Sequence, residues 1–187
     1  DASHGRADEF NLLKVASAGG VKVPVPCFLC EDTSVLGRPF FLMHRLAGIA
    51  AGHKLTKGDT KPLLVAELGR NLARIHKILP DTPGLEFLGM PPSHPAKASV
   101  QVYRGYLDDI GARQPAIEYG LAWLEKNAPQ SPHLTLCHRD YRTGNLMIED
   151  GALSGILDWE FSGWNDPMED IGWFMAKCWR FGANDKE

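Results

Sequence analysis

The chain has 187 residues, 44% hydrophobic and 23% charged, which is enough apolar material for one well-buried core and excludes a disordered polymer. A formal net charge of -3 and an isoelectric point near 6.2 exclude the broad positive field that nucleic acid or an anionic membrane surface requires. Four cysteines, at 27, 30, 137 and 178, with no leader-like N-terminus and no long apolar run, point to a reducing cytoplasm rather than to secretion or membrane insertion.

The first helix ends near Ala18-Gly19-Gly20, because Pro24 and Pro26 hold the following stretch extended. Cys27-Phe-Leu-Cys30 has a C-x-x-C spacing, but no second ligand pair stands at matching distance and the residues between are apolar. Buried strand cysteines are therefore expected, not a zinc or redox site. Phe40 to Leu46 is apolar enough to form the last strand of a small N-terminal lobe, and Ala47 to Lys61, with three glycines, reads as a loop that can line a ligand cleft. Pro62 opens a helix whose stripe is Leu64, Leu68, Leu72, Ile75 and Leu79, ended by Pro80.

The proline-rich stretch from Asp81 to Ala96 reads as a surface loop, a place where substrate selectivity often resides. Val100, Tyr103, Leu107 and Ile110 mark a second helix, and Ile117, Leu121 and Leu124 a third, both expected to pack behind the hairpins that follow. Leu134 to His138, Asn145 to Glu149 and Leu153 to Leu157 are strands, the last two joined by the turn Asp150-Gly151. Asp166, Pro167 and Glu169 supply an N-cap, a first-turn proline and a capping-box acid for a helix reaching about Trp179, with Ile171, Phe174 and Cys178 buried. The tryptophans at 159, 164, 173 and 179 are read as core packing before a stacking platform. The histidines at 4, 44, 53, 76, 94 and 133 share no metal-ligand spacing.

Chemistry concentrates in His138-Arg-Asp-Tyr-Arg-Thr-Gly-Asn145 and in Ile156-Leu-Asp-Trp-Glu160. An H-x-D-x-x-x-x-N loop followed by a strand that ends in an acid is the pattern of a phosphoryl-transfer site. A hydroxyl attacking the γ-phosphate of ATP must lose a proton, and Asp140 on a rigid loop can orient it and take that proton. Magnesium prefers oxygen ligands, so the Asn145 amide and the Asp158 carboxylate form a sufficient protein clamp. Arg142, two residues after the base, can stabilise charge on the transferred group, or stand as an ordinary salt-bridge partner.

These motifs, with Gly163-Trp-Asn-Asp166-Pro167-x-x-Asp170, resemble the aminoglycoside phosphotransferase and choline kinase-like family over Leu136 to Gly182. The resemblance implies a protein-kinase-like α+β fold: a partial small β-rich lobe over residues 1–46, then a larger, mainly helical lobe over 47–187 carrying the catalytic β-hairpins. It makes Asp140 the base, Asn145 and Asp158 metal ligands, and Glu160 an auxiliary acid near the metal or a holder of Arg142. His138 and Asp170 would brace the loop. Upstream, Glu9 falls where relatives carry a glutamate that pairs with a phosphate-binding lysine, and His44, beside the expected hinge, is a candidate for the nucleotide edge. The glycine-bearing loop and that lysine precede this helix in relatives, whereas seven residues precede Asp8 here, so the chain reads as a partial member, incomplete at both ends.

The function expected is ATP- and Mg2+-dependent transfer of the γ-phosphate to a hydroxyl of a small molecule, without nucleic acid or membrane partners. An aminoglycoside acceptor would call for a strongly acidic pocket, which the sequence lacks. The alternative is a catalytically silent nucleotide-binding or scaffolding module. Retention of Asp140, Asn145 and Asp158 argues against it, and the absence of a recognisable activation segment after Glu160 argues against protein substrates.

Overall fold

The computed structural model describes residues 3–57, 61–111, 113–130 and 133–182. In chain order the elements are α1 (Arg6–Ala18), β1 (Pro26–Cys30), α2 (Thr33–Leu36), β2 (Phe40–Met43), α3 (Gly52–Lys57), α4 (Pro62–Ile75), α5 (Pro95–Ile110), α6 (Pro115–Asn127), β3 (Thr135–Cys137), β4 (Leu146–Glu149), β5 (Ala152–Ile156), β6 (Gly163–Asn165) and α7 (Met168–Met175), with 3-10 turns at Glu86–Leu88, Thr143–Asn145 and Lys177–Arg180. The strands form three antiparallel pairs, β1 with β2, β3 with β6 and β4 with β5.

Packing follows the apolar periodicities. Leu12, Leu13 and Ala16 of α1, then Val21 and Val23, join Leu64, Leu68, Leu72 and Ile75 of α4 and Leu136, Leu146, Leu153 and Ile156 of the later strands in one buried cluster. The core thus runs continuously across residue 46. Burying each Leu or Ile contributes about 1.5–3 kcal/mol. Polar ties cross the same seam: Lys22 reaches Glu67, whose second oxygen accepts the Leu153 amide at 3.1 Å, and the Lys22 amide donates to Asn71 Oδ1 at 3.0 Å.

The β4–β5 hairpin pairs Leu146 with Ile156 and Met147 with Gly155. Its turn residues Asp150 and Gly151 have φ of 49° and 82°, the doubly left-handed turn that matches strand twist and that glycine adopts without cost. β3 pairs with β6 in the register Leu136 to Trp164, and it is this pairing, made across the catalytic hairpin rather than along it, that sets the start of the His138 loop.

Several expectations need correction. α4 stops at Ile75, because the chain then turns so that the Ile78 carbonyl accepts the Leu136 amide at 2.9 Å; Leu79 falls off the buried stripe and is 48% exposed. The stretch expected as a loop over Ala47 to Lys61 contains helix α3, while residues 58–60 lie outside the described residues. β2 ends at Met43, short of Leu46, and α5 already begins at Pro95. Cys27 is on a strand but exposed, and Cys30 is only half-buried, because β1 sits at the surface of a two-stranded pair with one face open. α5 and α6 pack chiefly on each other, leaving Tyr103 and Ile110 exposed at 52% and 70%. α7 ends at Met175, with a separate turn after it; Phe174 packs on the core, whereas Ile171 and Cys178 face outward.

Candidate active site

The loop after β3 is held from behind. Asp170, fully buried in the first turn of α7, accepts the His138 amide at 2.9 Å and the Arg139 amide at 2.7 Å, one on each carboxylate oxygen. His76, just past the end of α4, adds its Nε2 to the Asp170 oxygen at 2.9 Å. Arg139 has φ of 64°, a left-handed conformation that costs a non-glycine residue about 1 kcal/mol or more; the two amide bonds to Asp170 offset that cost. The ligand atoms of His76, Cys137 and Asp170 lie within 4.8 Å of one another. They form a brace, since both Asp170 oxygens already accept hydrogen bonds and burial pushes the Cys137 thiol pKa upward, keeping it protonated.

His138 is entirely buried. Its Nδ1 accepts the Asp140 amide at 3.2 Å and its Nε2 donates to the Leu157 carbonyl at 2.9 Å, an arrangement that fixes the Nε2-protonated tautomer because an amide can only donate and a carbonyl can only accept. Burial lowers its pKa, so the ring is a neutral strut that ties the loop to the residue before Asp158.

Asp140, nearly buried, is surrounded by donors. Arg142 Nε lies 3.0 and 3.1 Å from its two oxygens, Asn145 Nδ2 is 2.6 Å from Oδ2, and the Trp173 indole Nε1 is 2.9 Å from Oδ1. Asn145 Nδ2 also donates to the Asp140 carbonyl at 3.0 Å. The amide nitrogen is thereby committed to Asp140, which leaves Asn145 Oδ1 available.

The Leu157 amide bonds the Asn145 carbonyl at 2.9 Å, so Asp158 is delivered beside Asn145. Its φ of 70° turns the chain out of β5 at this point. Asn145 and Asp158 line a cavity of about 380 Å³ together with Glu9, Gly144 and Trp159. Among the described residues neither the Asp158 carboxylate nor Asn145 Oδ1 has a protein donor, and two unclaimed hard oxygen ligands on one cavity wall fit a magnesium ion.

The other expected residues are placed as follows. Glu9 is on the cavity wall and pairs with Arg6 at 2.5 Å. His44 is exposed, its amide bonded to the Val25 carbonyl at 2.9 Å. Glu160 does not hold Arg142, which is spent on Asp140; its carbonyl accepts the His4 amide at 2.8 Å. Asp166 bonds the Met168 amide at 2.8 Å, as a cap does, but the expected capping-box partner Glu169 turns instead toward Arg139, at 3.4 Å.

A family model described as "Phosphotransferase enzyme family" matches residues 2–187. The chain belongs to that family. Curated relatives include mouse acyl-CoA dehydrogenase family member 10, 28% identical over 92% of this chain and 17% of its own length, and the homoserine kinase of Polaromonas naphthalenivorans, 29% identical over 87% of this chain and 51% of its own. Among solved structures, a Ralstonia eutropha protein assigned provisionally to the aminoglycoside phosphotransferases superposes with a TM-score of 0.78 at 25% identity, covering 90% of this chain and 53% of that one. A choline/ethanolamine kinase family protein from Mesorhizobium loti gives 0.63 at 21% identity, covering 96% and 56%. This phosphotransferase-family chain thus spans from about a sixth to a little over half of the length of those relatives, and its fold is kinase-like.

Two residues of the candidate site escape a reading of the sequence. Trp173, grouped with the core tryptophans, contacts Asp140 directly; it stands three residues after Asp170 on α7, hence on the same helix face, and that spacing was the available signal. His76 had none, because its partner lies ninety-four positions away.

Proposed function

We propose that this chain is the phosphate-transferring part of an ATP- and magnesium-dependent small-molecule kinase with an alcohol acceptor. Asp140 receives the proton of the acceptor hydroxyl as its oxygen bonds to the γ-phosphorus and the bond to the β,γ-bridging oxygen breaks, releasing ADP. Asn145 and Asp158 would hold the divalent cation, which would supply positive charge to offset that of the phosphates. Arg142 sits beside the transferred group, and Glu9 faces the nucleotide phosphates from α1. Glu160, two residues beyond Asp158, is an auxiliary acid, and His44 lies at the nucleotide edge. His138 and Asp170 are positioning residues that keep the loop in register.

The observation that carries this reading is the 2.6 Å bond from Asn145 Nδ2 to Asp140 Oδ2, which couples the base to a residue whose remaining oxygen opens on the same cavity as Asp158. Further support comes from two solved relatives of the same fold, described as bound to ATP and to ADP. The phosphorylated compound differs among relatives: homoserine, aminoglycosides and macrolides are named for some, and several curated relatives are named as acyl-CoA dehydrogenases. A first acceptor panel therefore holds homoserine, an aminoglycoside and a hydroxylated acyl-CoA.

The decisive experiment measures magnesium-dependent ATP binding by calorimetry and phosphate transfer to that panel with the full-length protein. Asp158→Ala is expected to abolish tight nucleotide binding, and Asp140→Ala to keep it while reducing transfer about 10²–10⁴-fold. Failure of the wild-type protein to bind ATP with magnesium would refute the proposal, and binding without transfer in every arm would move a silent binding module to the front.

A further inference from the structure

The carboxylate of Asp140 is crowded before any substrate arrives. An ionised carboxylate offers about four lone-pair sites; the single Arg142 Nε–H spans both oxygens, and Asn145 and Trp173 each donate to one of them. A substrate hydroxyl competes with these donors for the carboxylate. Asn145 is buried and doubly bonded to Asp140, and Trp173 is set in α7. Arg142 is the donor free to leave: its side chain is 26% exposed and, among the described residues, its hydrogen bonds run from Nε alone. Moving a guanidinium off a nearly buried carboxylate leaves both charges under-compensated unless another anion, the transferred phosphate or a negative group of the acceptor, receives it.

Two further features lie beside that arginine. Its guanidinium stacks 4.8 Å from the Trp179 ring, and the Trp179 indole Nε1 is buried with no hydrogen-bond partner among the described residues, a rare state for such a group and one that an incoming acceptor oxygen would relieve. Helix α3 packs on both the Thr143–Asn145 turn and the Lys177–Arg180 turn. Those three segments carry Lys54, Lys57, Lys177 and Arg180 and no acid, in a chain whose net charge is -3. Neither Arg142 nor Trp179 lines the cavity of Asn145 and Asp158.

We propose that the acceptor is an anionic hydroxyl compound, a hydroxycarboxylate or a hydroxyl-bearing phosphate ester. Its negative group draws Arg142 from Asp140 and accepts the Trp179 indole N–H, while its hydroxyl takes the vacated place on Asp140. The inference rests on the kinase reading above and adds the charge of the substrate to it.

The test is calorimetric titration of the full-length protein with magnesium and ATP, using 3-hydroxybutyrate and glycerol 3-phosphate as anionic probes, 3-hydroxybutyramide and glycerol as their neutral counterparts, and choline and kanamycin as cations. At least one anion is expected to bind about tenfold tighter than its neutral counterpart, and which of the two does so distinguishes carboxylate from phosphate. Trp179→Phe, confirmed folded by thermal melting, is expected to weaken that anion about tenfold and to leave the neutral compound unchanged, and Arg142→Gln and Arg142→Lys, likewise confirmed folded, are expected to erase the anion's advantage over its neutral counterpart. Equal binding of neutral and anionic members, preference for a cation, no anion binding at millimolar concentration, or weakened ATP binding in place of weakened acceptor binding in Arg142→Gln would each overturn the proposal. Loss of ATP binding by the wild type is read separately in the same titration and counts against the kinase reading itself.

Discussion

The catalytic loop and the α5–α6 pair are both built on clear sequence periodicities, yet they are held in opposite ways. Around the loop, Asp170 and His138 join segments far apart in the chain through hydrogen bonds in the interior, including those that Asp170 accepts from the His138 and Arg139 amides, and Asn145 ties the loop to itself. In α5 and α6 the ties are peripheral: Arg104 forks onto Glu125 and reaches Glu118 at 2.6 to 2.9 Å, and Val100 and Leu121 are the buried apolar residues of the two stripes. Where geometry has to be held to fractions of an ångström, polar groups are paid out into the interior; where a helix pair only frames the molecule, its apolar face can remain open. The difference separates positions that set chemistry from positions that set shape.

The sharpest way to break this contrast is Asp170→Ala. It strips the acceptor from two backbone amides and from His76, and is expected to cost about 4 kcal/mol in chemical denaturation; a loss comparable to that of a surface substitution would show that the brace is dispensable. Next, Trp173→Phe keeps the ring and removes the indole donor to Asp140. Phosphate transfer is expected to fall about tenfold with ATP affinity retained, measured by steady-state kinetics, whereas an unchanged rate would reduce Trp173 to packing.

A third prediction uses His138, whose pKa burial depresses from an ordinary value of 6.5. The unfolded chain binds this proton more readily than the folded one, so the contribution is intact above about pH 6.5 and is lost as the pH falls below it toward the lower folded pKa. Melting temperature should decline on acidification in that window, and His138→Gln should flatten the decline; an identical slope in the variant would contradict the neutral strut. The smallest effect is expected from Ile110→Lys on the open face of α5, within about 0.5 kcal/mol of wild type. A large destabilisation there would mean that something covers this face.

Much of the architecture was readable in advance because it depends on local signals. Pro62 with the Leu64, Leu68, Leu72 stripe specifies α4, and Asp150-Gly151 specifies the β4–β5 turn. The joint presence of Asp140, Asn145 and Asp158 at characteristic offsets marks the candidate site, and the structure brings the first two into direct contact and puts the third on the same cavity as Asn145. What was not readable depends on pairings made at a distance. The end of α4 is decided by a backbone bond from Leu136 to Ile78, and the exposure of Tyr103 and Ile110 by which partner α5 finds. A periodicity shows that a helix has an apolar face and is silent on whether anything covers it. Trp173 illustrates a third case, in which the residue type fits core and site equally well and only its register with Asp170 separates them.

Asp158 occupies backbone conformation, φ of 70°, that asparagine and glycine adopt more readily than aspartate. Replacing it by either relaxes the local backbone while deleting a carboxylate, so such variants should accumulate in cells at least as well as the parent protein and escape proteolytic triage. Surveys that score variants by protein abundance would therefore register damage at Asp170 and overlook it at Asp158, although both would silence the proposed reaction.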